Sequence, residues 1–166
     1  MFTLGEIATV CGGRLISGRP DGLVAGVSCD SRTIQAGQLF VALRGARRDG
    51  HSFLRAAFHQ GAACALVDHE REEHYPTVAV PDTLQGLQKL AQHHRAKFLI
   101  PAVAVTGSSG KTTTKECIGI LLSKKFRVRT GFGNWNNHIG VPLNLFQLTE
   151  ADELIVLELG ANHAGE

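Results

Sequence analysis

Residues 103–113 constrain the fold more than any other stretch of this sequence. An apolar strand pattern, Val-Ala-Val, runs directly into Thr-Gly-Ser-Ser-Gly-Lys-Thr-Thr. Gly107 and Gly110 allow the backbone to curl so that successive N–H groups point at one anion. A helix that begins after such a loop adds the partial positive charge of its N-terminus. The pattern therefore predicts a strand–loop–helix unit that binds a triphosphate at the edge of a parallel sheet.

The loop also carries the side chains that this chemistry requires. Lys111 is predicted to reach the β- and γ-phosphates of ATP, and the Thr112 hydroxyl to ligate Mg²⁺. The strict phosphate-loop pattern has Gly six residues before the Lys, where this chain has Val105. The alternative is an ordinary Gly-Ser turn, which does not explain Gly-Lys-Thr-Thr at a helix start. The predicted ATP-binding residues of the loop are Thr106, Gly107, Ser108, Ser109, Gly110, Lys111, Thr112 and Thr113.

A second apolar run, 154–157, ends in an acidic residue, Glu158. The carboxyl end of a buried parallel strand lies at the ligand-binding edge of the sheet, and an acidic group there holds Mg²⁺ in phosphate-loop enzymes. We therefore predict that Thr112 and Glu158 hold the metal ion, and that Lys111, Glu158 and His163 are the catalytic residues. The alternatives are a strand-end Glu that faces solvent and a surface His.

Three Asn residues and several Gly residues follow one another in the segment 131–142, between a predicted strand and a predicted helix. Asn side chains offer both donors and acceptors, and loops at this edge of a sheet commonly carry function. The segment is predicted to form a polar loop beside the phosphate loop. A turn-rich connection is the alternative, and Trp135 fits a structural plug equally well.

The order of apolar runs and turns predicts an α/β fold with two domains, 1–99 and 100–166. Thr3 and Glu6 form a capping-box pattern for a first helix that Gly12 ends, and Asp82 is placed to cap a long one. After residue 100 the alternation of strand and helix indicates a parallel sheet with right-handed crossovers. Further helices are predicted at 53–60, 83–98, 115–126 and 139–147, and strands at 14–17, 24–29, 38–43, 65–67, 77–80, 102–105, 127–130 and 154–157.

Two groups of basic residues in the first predicted domain are candidates for anion binding. Arg32 follows Asp30 and Ser31, where a guanidinium beside hydroxyls can grip a diphosphate; a surface ion pair between Asp30 and Arg32 is at least as favoured. The second group is Arg44, Arg47 and Arg48, for which a solvated loop and an anion site are equally balanced.

Composition narrows the class of protein. The net charge of +2 gives no reason to expect nucleic acid or an anionic membrane as a partner. The four Cys residues have neither zinc nor redox spacing, which favours a reduced, cytoplasmic chain. No apolar run approaches the length of a membrane span and no leader pattern opens the sequence. Because the chain stops just after an apolar run, we expect it to be part of a longer protein.

Four stretches together resemble the Mur ligases of bacterial peptidoglycan synthesis. The phosphate loop with Val105 is similar to the family's ATP site, and 30–32 with 37–51 is similar to its UDP-binding N-terminal domain. The stretches 133–142 and 158–166 are similar to the branch that adds D-Ala-D-Ala to UDP-MurNAc-tripeptide. The resemblance implies a small UDP-binding domain over 1–99 and the truncated start of a central ATPase domain over 100–166.

The resemblance also implies an activity and its ligands. The tripeptide carboxylate attacks the γ-phosphate of ATP, and the amine of D-Ala-D-Ala then displaces phosphate from the acyl phosphate. Ser31, Arg32 and Asn136 are implied to contact the substrate, and Asn134 and Asn137 the nucleotide. The cofactors are ATP and Mg²⁺, the protein is expected to be a monomer, and the chain alone is expected not to ligate.

Two other interpretations stay open at this point. One is another ligase of the same superfamily, of the tripeptide-forming or the folylpolyglutamate type. The other is a phosphate-loop phosphotransferase or nucleotide switch without ligation, which would need neither the Asp30–Arg32 segment nor a UDP-sugar.

Overall fold

The computed structural model describes residues 1–45, 48–69 and 75–160. The chain divides into two compact units, Met1–Leu90 and Ala91–Glu166. Each unit contains its own parallel β-strands, so the predicted α/β class is confirmed. No helix in the described part of the chain is both long enough and apolar enough to cross a membrane.

The first unit is built around a five-stranded sheet. Four of its strands run parallel to their neighbours, whereas the strand at one edge pairs antiparallel. A separate antiparallel pair joins residues 2 and 3 to residues 24 and 23. The elements are β1 Phe2–Thr3, α1 Leu4–Cys11, β2 Arg14–Ser17, β3 Leu23–Val24, β4 Val27–Ser28, β5 Leu39–Val41, a 3-10 turn Gly50–Phe53, α2 Leu54–His59, β6 Cys64–Val67, β7 Thr77–Ala79 and the start of α3 Thr83–Ala96, which continues past Leu90. The sheet order is β2–β7–β6–β5–β4.

Local signals set both long helices of the first unit. The Thr3 hydroxyl accepts from the Glu6 amide while the Glu6 carboxylate accepts from the Thr3 amide, which completes the predicted capping box of α1. Gly12 ends that helix with φ at 68°. Asp82 Oδ1 accepts from two amides at the start of α3, at 2.8 and 3.0 Å. These helix boundaries follow from caps that are visible in the sequence.

The core of the first unit lies on the central strands. Every residue of β5 and β6 is buried, as expected for parallel strands. Phe40 packs with Leu54 and Ala57 of α2, and α3 buries Leu87 and Leu90 completely. Asp30 and Ser31 follow the carboxyl end of β4, and Leu43 follows that of β5. These residues therefore lie in the loops at one edge of the sheet.

One predicted strand, 24–29, is wrong in extent. It is two short strands, β3 and β4, which belong to different sheets. Between them the Ala25 amide donates to Gly37 O, and Gly26 O accepts from the Leu39 amide. The chain changes partners at this point because these two bonds redirect it from β1 to β5.

The second unit contains a three-stranded parallel sheet. Its middle strand, β10 Leu154–Glu158, lies between β8 Ala102–Val105 and β9 Val128–Thr130. Helix α4 Lys111–Leu122 connects β8 to β9, and α5 Gly140–Leu145 connects β9 to β10. The predicted helix 115–126 therefore starts four residues earlier than expected, because Gly110 adopts a left-handed conformation (φ 72°) directly before it.

The run 102–105 is almost wholly apolar, which is typical of a buried parallel strand, but β8 is not buried. Its residues alternate between exposed and half-buried, whereas every residue of β10 is buried. The reason is position: β8 pairs only with β10 among the described strands and forms an edge of the sheet. Apolar residues alone do not distinguish an edge strand from a central one.

Candidate functional site

The phosphate-loop sequence forms the predicted strand–loop–helix unit. The two loop glycines have positive φ, 145° at Gly107 and 72° at Gly110, which residues with a Cβ rarely adopt. Helix α4 begins at Lys111, so its unpaired amides open onto the loop. The Lys111 Nζ folds back over the loop and donates to Gly107 O at 2.7 Å. An ammonium group and a helix N-terminus thus converge where the sequence predicts a phosphate.

Glu158 lies at the carboxyl end of β10, paired in register with Val105 at the end of β8. Its side chain is buried, with 4% of the residue exposed. Oε2 accepts from the Thr112 hydroxyl at 2.7 Å and Oε1 from the Asn136 amide at 2.6 Å. The solvent-facing alternative for this residue is therefore not what the structure shows.

The surroundings keep Glu158 ionised. The hydrogen bond from Thr112 lowers the pKa of the carboxyl, and the bond from Asn136 and the positive charges of Lys115 and Lys111 lower it further against the opposing effect of burial. An anionic carboxylate beside a hydroxyl supplies two hard oxygen ligands at the loop. Such oxygens are the ligand type that Mg²⁺ prefers.

The polar segment 131–142, called the Asn-rich loop below, contacts Glu158 through one of its three Asn side chains. Asn136 binds Glu158, and its carbonyl oxygen accepts from the Gly160 amide at 2.7 Å. Asn137 Oδ1 accepts from the amides of Ile139 and Gly140, so this side chain is bonded to the backbone just before and at the start of α5. Asn134 is exposed.

Two residues at this site were missed from the sequence. Lys115 is buried and donates to Gly131 O and Gly133 O. Asn144 is buried on α5, where Oδ1 accepts from the Phe132 amide at 2.8 Å and Nδ2 donates to Trp135 O at 2.9 Å. Both are polar residues at apolar positions of a helix, which is the signal that identifies them.

The Asp30–Arg32 segment lines a cleft in the first unit with a volume of about 490 Å³. Arg32 forms a two-point ion pair with Asp30, through Nε at 2.9 Å and Nη2 at 2.7 Å. That pair lowers the Asp30 pKa to about 2. Ser31 is buried, whereas the Arg32 side chain is 84% exposed. Arg32 thus forms the ion pair and still lines the cleft, because its guanidinium remains open to solvent.

Two members of the second basic group, Arg44 and Arg48, have different surroundings. Arg48 lines the same cleft, whereas Arg44 donates to both carboxylate oxygens of Asp68. Arg47 lies outside the described residues.

One group of possible metal ligands lies in the first unit: His51, Asp68 and His69, whose ligand atoms lie within 4.8 Å of one another. His51 Nδ1 lies 2.6 Å from Asp49 Oδ1, and the Asp68 amide donates to Nε2. Because Arg44 already supplies the positive charge beside Asp68, the cluster is explained as an ion-pair network that fixes the loop around residue 49.

The third predicted catalytic residue, His163, lies outside the described residues. The remaining predicted loop residues Thr106, Ser108, Ser109, Thr112 and Thr113 are all exposed. The structure therefore brings Lys111, Thr112, Glu158 and Asn136 together at one edge of the sheet, and it places Ser31 and Arg32 at a cleft of their own in the other unit.

A parallel sheet with a Gly-rich loop before a helix and a buried carboxylate at a strand end defines an α/β protein of the phosphate-loop type, and family models assign it more narrowly. Residues 105–166 match the Mur ligase middle domain, and residues 23–95 match the catalytic domain of the Mur ligase family. Together the two matches account for most of the chain. The chain belongs to the Mur ligase family.

Curated relatives are UDP-N-acetylmuramoyl-tripeptide–D-alanyl-D-alanine ligases. The one from Bacillus subtilis (strain 168) is 42% identical over 147 residues, which are 87% of this chain and 32% of the relative. The one from Escherichia coli (strain K12) is 39% identical over 164 residues, which are 99% of this chain and 36% of the relative. The chain thus spans about a third of the length of these curated relatives.

Solved structures show the same likeness. MurF from Acinetobacter baumannii superposes with a TM-score of 0.93 at 34% identity, over 99% of this chain and 37% of that one. MurF ligase from Thermotoga maritima, solved in complex with ADP, gives a TM-score of 0.78 at 35% identity, over 89% and 34%. The family resemblance predicted from the sequence is confirmed.

Proposed function

We propose that this chain carries the UDP-substrate and ATP sites of an ATP-dependent ligase that adds D-Ala-D-Ala to UDP-MurNAc-tripeptide. The observation that carries the proposal is the arrangement around Glu158, where the Thr112 hydroxyl and the Asn136 amide hold a buried carboxylate beside the phosphate loop. The likeness to D-alanyl-D-alanine ligases, one of them solved with ADP, supports it.

The proposed reaction joins two anions, so the site must offset negative charge. The substrate carboxylate attacks the γ-phosphorus, ADP leaves, and the amine of D-Ala-D-Ala then displaces phosphate to form the amide. Lys111 and the loop amides would stabilise the triphosphate as its charge shifts. Thr112 and Glu158 would hold Mg²⁺, whose role when bound is to neutralise phosphate oxygens. We also propose His163 as a catalytic residue, and Asn134 and Asn137 as nucleotide contacts.

The cleft of the first unit is the proposed site for the UDP end of the substrate. Ser31 and Arg32 lie at it, and Arg48 adds a second cation to the same lining. A guanidinium is suited to a diphosphate because it offers paired N–H donors. In this assignment residues 1–99 bind the UDP-substrate and residues 100–166 begin the ATP-binding domain, with Asn136 facing the peptide end.

Several wider properties belong to the same proposal. The ligase would act in the cytoplasm on small-molecule substrates, as a monomer, and serve peptidoglycan synthesis and with it cell shape and division. It would have no nucleic-acid partner and no membrane insertion. The 166-residue chain alone would not form the amide, because it spans about a third of the relatives that carry that activity in their names.

Calorimetry on the 166-residue chain tests the binding half of the proposal. We expect separate saturable binding of MgADP and of UDP-MurNAc-tripeptide, with no amide formed when ATP and D-Ala-D-Ala are added. Binding of MgADP with no response to UDP-MurNAc-tripeptide would favour the phosphotransferase or switch interpretation. Amide formation by the chain itself would contradict its assignment as a binding portion.

The amine donor separates this ligase from its relatives. In a polypeptide of full ligase length that contains this chain, ADP release should depend on D-Ala-D-Ala and not on a diamino acid or glutamate. Release driven by a diamino acid would support the tripeptide-forming type, and release driven by glutamate the folylpolyglutamate type.

A further inference from the structure

Among the residues of the second unit that the structure describes, Lys115 is the most deeply buried charged one, with 0% of the residue exposed. Its ammonium donates to Gly131 O at 2.7 Å and to Gly133 O at 2.9 Å, and it lies 3.0 Å from Glu116 Oε1. The three donors of the group are thereby matched to three oxygens. Two of those oxygens belong to the backbone of the Asn-rich loop.

The burial contrasts with that of Lys111, one helical turn earlier on α4. Lys111 is half-buried and bonds within its own loop, to Gly107 O. An ammonium group is removed from water only at a cost, which its hydrogen bonds must offset. The carboxylate of Glu116 offers limited help, because that side chain is 53% exposed. Lys115 therefore depends on the two loop carbonyls, and they in turn depend on it.

The loop that Lys115 holds is the one that reaches Glu158. Its first residues, Gly131 and Gly133, are fixed to α4 by Lys115, and three residues further on Asn136 binds the carboxylate. Helix α4 also supplies Thr112, the other partner of Glu158. One helix thus positions both groups that hold the carboxylate, one directly and one through the loop.

We propose that Lys115 is a positioning residue: it fixes the Asn-rich loop to the phosphate-loop helix and thereby sets where Asn136 holds Glu158. The inference rests on the proposed nucleotide site, because its consequence for function is the affinity for magnesium nucleotide.

Trp135 makes the loop directly observable, because it is the only Trp in the sequence and lies between Gly133 and Asn136. We would compare the wild-type chain with Lys115→Met, Lys115→Gln and the matched control Lys124→Met, which removes an exposed ammonium just after the same helix. With no nucleotide present, Lys115→Met should shift Trp135 emission to longer wavelength and increase its quenching by acrylamide. Lys115→Gln, which keeps two donors, should lie between, and Lys124→Met should match the wild type.

Nucleotide binding supplies the second readout. Lys115→Met should weaken MgADP binding about tenfold and metal-free ADP binding much less, because the loss acts through Glu158 and not through the phosphate loop. If wild-type chain bound no nucleotide, the proposed function would fail while the fluorescence of the free protein would still test the loop contact. The two failures are therefore distinguishable.

Three results would overturn the inference. The first is a folded Lys115→Met chain whose Trp135 emission and quenching equal those of the wild type. The second is equal weakening of MgADP and metal-free ADP. The third is loss of cooperative unfolding in both Lys115 variants, because that outcome would make the residue a general requirement for folding and not a positioning residue.

Discussion

The two candidate sites hold their charges in opposite ways. In the second unit Glu158 and Lys115 are buried, and the groups that hydrogen-bond to them lie 16 to 46 positions away in the sequence, although Lys115 also pairs with its neighbour Glu116. In the first unit the Asp30–Arg32 pair joins residues two positions apart, and the guanidinium side chain is 84% exposed. The difference teaches that the fold fixes the proposed nucleotide site in advance, whereas the cation at the cleft is held by a neighbouring residue and stays open to solvent.

The largest effect should follow from Lys111, because this cation of the proposed nucleotide site bonds within its own loop and, unlike Lys115, does not join separate segments of the fold. Lys111→Met should weaken ADP binding roughly 100-fold, since a charged hydrogen-bond donor to phosphate is lost. The unfolding midpoint of the free chain should barely move. Calorimetry measures the ADP affinity, and urea unfolding measures the midpoint. Lys125→Met, at an exposed position after α4, is the control.

Retained ADP affinity in Lys111→Met would contradict the assignment of the loop. Loss of UDP-MurNAc-tripeptide binding in the same variant would weaken the contrast between the two sites, because it would mean that they do not act separately.

A stability effect of intermediate size should follow from Asn144, which belongs to the buried framework of the nucleotide site. Asn144→Ala leaves the Phe132 amide and the Trp135 carbonyl without their side-chain partner, which should lower the free energy of unfolding by about 2 kcal/mol. Urea unfolding monitored by Trp135 emission measures it. Gln147→Ala, an exposed change two residues past α5, is the control and should be close to neutral. An equally small effect in Asn144→Ala would show that the loop does not rely on this contact.

Local patterns were sufficient to predict most of the elements. The capping box at Thr3, the Asp82 cap and the phosphate loop each depend on residues close together in sequence, and each was found. The split of 24–29 into β3 and β4 was not found, because it depends on bonds to residues 37 and 39. The exposure of β8 was missed because it depends on the order of the strands in the sheet, which the residues of one strand do not reveal.

The site shows the same division. Strand-end position alone predicted Glu158, and loop composition predicted a polar loop beside it. The contacts that join Glu158 and the Asn-rich loop to the rest of the site could not be predicted from local patterns. The hydrogen bond from Asn136 to Glu158 spans 22 positions, and that from Lys115 to Gly131 spans 16. Lys115 was not among the predicted site residues, because it lies in a predicted helix, where a Lys side chain is usually solvated.

The smallest effect should follow from Arg32, because its ion pair with Asp30 is local and exposed. Arg32→Met should lower the free energy of unfolding at pH 7 by no more than an exposed ion pair typically contributes, and should raise the Asp30 pKa from about 2 part of the way toward 3.8. It should stop short of 3.8, because the backbone amide of residue 32 still donates to Asp30 Oδ1. Since the folded-state pKa lies below the unfolded one, any stability from the pair is present above about pH 3.8 and lost as the pH falls through about 2. A carbon-13 NMR titration of the Asp30 carboxyl measures the shift. A large loss of stability at pH 7 would show that this cation is also part of the framework, and the contrast between the two sites would then be wrong.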